Sequence, residues 1–124
     1  MASTIELRAS IREKLLTKCS AVFYERAKEK QTGPYVVFNL DTGNYDELCI
    51  QFQLEVYVVG QGTDTSTIED LADSIWDLFN HVAVCSGSLG YSVYPSVRNN
   101  LTEEDKNLIE RRLVFTVKQF IGGY

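Results

Sequence analysis

Three cysteines and one histidine are the side chains best suited to nucleophilic or metal chemistry: Cys19, Cys49, Cys85 and His81. The cysteine spacings, 30 and 36 residues, fit no metal-knuckle pattern. An odd number of thiols favours reduced cysteines in a cytosolic compartment over a disulfide framework. Cys49 falls in a segment that reads as a strand, where it is structural. His81 precedes Cys85 by four residues, an arrangement that admits a Cys-His nucleophile. No Asn or Asp is evidently placed to orient the ring. The simpler reading is a histidine near the end of a helix, where its charged form suits the dipole.

Other chemistry-bearing patterns are absent. There is no Gly-rich phosphate loop with Lys, no His-x-x-x-His, no Cys-x-x-Cys and no Gly-x-Ser-x-Gly. The acidic groups Glu69-Asp70 and Glu103-Glu104-Asp105 sit at a helix start and in a loop, where carboxylates are usually solvated. Neither catalytic residues nor a cofactor or metal site is expected.

The elements that position these residues follow from hydrophobic spacing. Ser3 and Glu6 fit a capping box, and Leu7, Ile11 and Leu15 recur every four residues. This predicts an amphipathic helix ending near Cys19. Strands are expected over Ala21–Ala27 and Pro34–Phe38, followed by a turn at Asp41-Thr42-Gly43-Asn44. The clearest signal is Leu48, Ile50, Phe52, Leu54, Val56 and Val58 at alternate positions, a long strand with one face on a core. It stops at Gly60-Gln61-Gly62. Ser66 and Glu69 match a second capping box. Ile68, Leu71, Ala72, Ile75, Leu78, Phe79 and Val82 then take helical spacing, with Trp76 at the edge of that stripe. Ser86 to Gly90 reads as a flexible connection. Tyr91, Val93 and Val97 mark a fourth strand with an edge or exit at Pro95. Asn99 to Asn107 reads as a loop, and Leu108 to Ile121 as the last strand. The order α-β-β-β-α-β-β implies an α+β fold: a mostly antiparallel sheet of about five strands, with two helices packed on one side.

The chain has 124 residues, 44% hydrophobic and 23% charged, which suits one globular domain over residues 1–124. Apolar runs are too short to span a bilayer, and the amino end carries no signal-peptide pattern. Net charge is −5, so the chain has no overall positive field to collect nucleic acid. The charge is unevenly spread. Residues 1–30 hold seven Lys or Arg against four acids, whereas residues 31–97 hold nine acids and no Lys or Arg. A basic portion and an acidic portion in one chain favour head-to-tail association, which closes into rings or runs on as filaments. Arg111 and Arg112 are adjacent on the last strand and must point to opposite faces. At most one joins the core side. The other is a candidate contact between copies, with Glu69, Asp70 or Asp73 of the next copy as partners.

Read in order, several segments resemble the tail-terminator, or tail-completion, proteins of long-tailed bacteriophages. They are Val22-Phe23-Tyr24-Glu25-Arg26-Ala27, Gly33-Pro34-Tyr35-Val36-Val37-Phe38, the alternating strand Leu48–Val59, the Asp64 turn, Ile68–Ile75 and Glu110–Val117. Lys28 departs from the pattern, standing where many relatives hold proline. The resemblance implies an α+β subunit of a ring, often a hexamer, at the tail-to-head junction of a virion made in the host cytoplasm. Such a ring caps the tail tube, ends its growth and offers a surface to the head connector and other neck proteins. DNA passes through it without sequence-specific binding, and no membrane is involved. A head-closure or stopper protein, a small thiol enzyme and a monomeric ligand-binding domain are the competing readings.

Overall fold

The computed structural model describes residues 4–26, 33–45, 49–61, 65–101 and 108–120. Helix α1 spans Thr4–Leu16 and buries Leu7, Ile11 and Leu15 completely. It ends before Cys19, where Thr17 bonds back to the Lys14 carbonyl through both its amide and its hydroxyl. Ser3 lies outside the described residues.

Strand β1 (Val22–Tyr24) is shorter than expected. It closes in a tight turn: Arg26 N–H bonds Tyr24 O at 2.9 Å, and Glu25 takes φ 70°. Strand β2 (Tyr35–Tyr45) runs straight through the expected turn, pairing Asp41 with Gln53 and Thr42 with Phe52 of the next strand. Between Thr42 and Tyr45 the register slips. A Cβ on Gly43 would lie 3.0 Å from the Gln51 carbonyl oxygen. Gly43 therefore marks a close backbone approach at an irregularity inside a hairpin arm rather than a chain reversal.

Strand β3 (Cys49–Gln61) is the centre of the sheet. Ile50, Phe52, Leu54, Val56 and Val58 are buried on one face, as alternation predicts; Leu48 lies outside the described residues. The strand continues past Gly60. Any side chain there would collide with Ile68, so Gly60 makes room for the first turn of helix α2 (Ser66–Leu78). Thr65 occupies the N-cap in a helical conformation without a side-chain cap, and the Glu69 carboxylate is engaged by Arg111.

The region after α2 differs most from expectation. Val82 does not extend the helix but begins strand β4 (Val82–Ser86), which turns back into β5 (Leu89–Leu101). Ser86 pairs with Leu89 across a two-residue loop whose first member, Gly87, has φ 59°. That fits the hairpin turn that places glycine first, so the expected flexible linker is a tight reversal. Pro95 sits mid-strand, where the register of β5 with the last strand, β6 (Leu108–Phe120), slips between Pro95 and Val97. β4 ends level with Val93, so Pro95 lies where β5 has become a sheet edge and its missing N–H is tolerated. β5 continues through Asn99 and Asn100, which sequence spacing assigned to a loop. Strand β6 (Leu108–Phe120) pairs with β3 along its whole length.

Among the described residues the sheet therefore has six strands, in the order β1-β2-β3-β6-β5-β4, and is mixed: β1 runs parallel to β2. Both helices pack on one face in one apolar core, with Trp76 at its edge, 5.2 Å between its ring centroid and that of Phe115. α1 reaches both ends of the sheet: Arg8 lies over the Tyr24 ring, and Ser10 Oγ is 2.8 Å from Tyr91 Oη. Among the described residues the other face carries no helix.

Candidate subunit-contact surface

Arg111 and Arg112 do diverge. Arg111 stands opposite Val58 on the helix-covered face, and Arg112 opposite Tyr57 on the bare face. Arg111 Nε donates to the Glu69 carboxylate of α2. Arg98 of β5 reaches the same carboxylate at 3.3 Å and Asp73 at 2.7 Å. Two arginines from neighbouring strands thus clamp the first turns of α2 onto the sheet. The acids expected to await a neighbouring copy, Glu69 and Asp73, have partners within their own chain. Asp70 is exposed and makes no ion pair among the described residues. It lines a shallow cleft of about 450 Å³ with Lys18, Pro34, Thr67, Leu71 and Ser74.

On the bare face, Arg112 Nε donates to Glu55 at 3.2 Å and Nη1 to Asn99 at 3.3 Å. Glu55 also accepts the Tyr57 hydroxyl at 2.5 Å and the Gln53 amide at 3.0 Å. The Tyr57 bond, with Arg112 beside it, holds the Glu55 carboxyl below the usual carboxylate range despite partial burial. Burial and the adjacent Glu55 push the Tyr57 phenol upward. Tyr94, Val97 and Phe120 stand exposed on this same face.

The thiol hypothesis gains no geometry. His81 lies just past α2 at φ 54° with its ring against Tyr94. β4 then carries Cys85 away, about 10 Å beyond Val82 at strand rise. Cys19, Cys49 and Cys85 are free thiols, and Cys19 is close to the Ala21 and Pro34 carbonyls where β1 and β2 begin. Among the described residues no group of three or more His, Cys, Asp or Glu could hold a metal ion, and no helix is long and apolar enough to cross a membrane.

Sequence spacing missed Arg98, Glu55 and Tyr57. Arg98 was legible as the first base after the base-free stretch, but strand register alone decides that it reaches α2.

No protein-family model and no curated protein matches the chain. Solved structures do. One is a chain in the virion of a native gene transfer agent particle. It is 12% identical, with TM-score 0.75, over 96% of this chain and 99% of that one. A second solved chain, known by a sequence identifier alone, is 16% identical with TM-score 0.73, over 96% of each. At these identities the likeness is one of fold.

Proposed function

We propose that this protein is a structural component of a phage-like virion, a tail terminator. Its ring, a hexamer by the family resemblance, caps the tail tube, stops tube growth and joins tail to head. The observation that supports this best is the near end-to-end fold likeness to a chain of a gene transfer agent virion, which agrees with the ordered sequence resemblance. Net negative charge suits a ring through which DNA must slide, since clustered Lys and Arg would grip phosphates. The protein acts by assembly rather than catalysis and needs no cofactor.

Arg112, the member of the pair that faces away from the helices, is the proposed basic contact, with Glu69, Asp70 or Asp73 of an adjoining copy as its partner. Because Arg111, Glu69 and Asp73 are already paired within the chain, Asp70 is the acid most available to a neighbour. The test is to mix the protein with cognate tail tubes and follow tube length and end views by electron microscopy. Rings at tube ends and arrested growth are expected. Tubes that elongate normally would overturn the reading, and binding to the head connector instead of the tube would assign a stopper role.

A further inference from the structure

The two edges of the sheet are stepped, and the steps match. On one side β1 borders β2 only alongside residues 36–38, level with Val56–Val58 of β3. Below it the β2 segment from Asn39 to Thr42, level with Phe52–Glu55, has no strand on its outer side among the described residues. On the other side β4 borders β5 only as far as Val93, level with Phe52. Above it β5 has no strand on its outer side from Tyr94 to Leu101, level with Gln53–Val59, among the described residues. Two copies set side by side at one level would place β1 of one against the bare part of β5 of the other. The same placement sets Val82 of β4 level with Thr42, at the end of that bare part of β2, and Val84 level with Tyr45, across the register slip.

The directions are also determined. Following the pairings across the sheet, β4 runs with β2, and β5 runs against β1. The β4–β2 contact would be parallel and the β5–β1 contact antiparallel.

Val22-Phe23-Tyr24 and Val82-Ala83-Val84-Cys85-Ser86 contain no charged residue and no proline, two of the devices that blunt an edge; β1, with three residues, is blunted only by its shortness. In β4 the two-residue turn makes Ser86–Leu89 and Val84–Tyr91 the mutually bonded pairs, so the N–H and C=O of Ala83 and Cys85 point outward.

The geometry points to a second copy of this chain as the occupant of both edges: β4 and β5 of one copy dock on β2 and β1 of the next. A two-fold pairing of one edge with itself would leave the other bare, whereas head-to-tail docking covers both and allows closure into a ring. This inference rests on the ring reading above and specifies its interface.

Two variants test it. Ala83→Pro removes an outward N–H and leaves the hairpin's own bonds intact. It should melt like wild type yet remain monomeric, by light scattering, at concentrations tenfold above those at which wild type assembles. Phe23→Cys with Asn99→Cys, in a chain whose Cys19, Cys49 and Cys85 are Ser, places two thiols level with Tyr57 on the bare face of adjoining copies. Neighbouring strands lie within disulfide reach. Mild oxidation of the assembled protein should give a ladder of linked chains that reduction abolishes. Rings that form without this cross-link, or Ala83→Pro rings equal to wild type, overturn the edge contact while sparing the ring. A dimer as the largest species overturns it in favour of two-fold pairing. No assembly, alone or on tail tubes, overturns both readings.

Discussion

The two faces of the sheet solve the same problem by different means. Arg111 and Arg112 are neighbours in sequence, and each is paired to a carboxylate. On the helix-covered face Arg111 finds its partner on α2, 42 residues away in sequence, and shares it with Arg98. On the bare face Arg112 finds Glu55 one strand over, in a network of sheet residues alone. The helix-side pair therefore ties two layers together, while the bare-face pair stiffens one layer and leaves it free to meet another molecule.

The sharpest break between the faces is apolar burial. Phe52→Ala should cost about 3–5 kcal/mol, and Gln53→Ala less than about 0.5 kcal/mol, measured by urea unfolding. Equal losses would undo the assignment of faces.

The ion pairs come next. A double-mutant cycle on Arg111 and Glu69 should give a coupling of about 1 kcal/mol, because the Arg111 side chain is only 11% exposed. The Arg98–Asp73 pair, whose aspartate is 61% exposed, should give no more than about 0.5 kcal/mol. The reverse order would mean that α2 is anchored through Asp73.

The bare-face network should show in pH dependence. The Glu55 carboxyl titrates below its ordinary value of 4.5. The folded state thus favours the ionised form, and its contribution is present above about pH 4.5. That contribution is lost as pH falls through the lowered value. Glu55→Gln should flatten the acid limb of stability, and Tyr57→Phe, which removes the largest cause of the shift, should flatten it in part. Urea midpoints between pH 3 and 7 report both, and an unchanged limb in Glu55→Gln would show that the network does not bias the carboxyl.

The smallest effect on the monomer is expected at Asp70. Asp70→Lys should leave the melting temperature within a degree or two, since surface changes are usually within about 0.5 kcal/mol. It should nevertheless alter assembly and its salt dependence. Assembly indifferent to this reversal and to salt would remove the charge contact and leave the strand edges as the interface.

Local periodicity determined much of this protein by itself. The i, i+4 stripe of α1, the alternation of β3 and the divergence of Arg111 from Arg112 are consequences of helical and strand geometry that no packing can reverse. Other features required the tertiary structure. The turn signal at Asp41–Asn44 gives way because β3 offers β2 a continuous ladder, with Gly43 admitting the Gln51 carbonyl. Val82–Ser86 is too short to declare a period and becomes a strand only through its pairing with β5. Glu69, read in sequence as half of a capping box, is held by two arginines that the register of β5 and β6 places beside it. The stepped edges are likewise invisible in sequence. They depend on which strands end at which level, and strand register is set by long-range pairing.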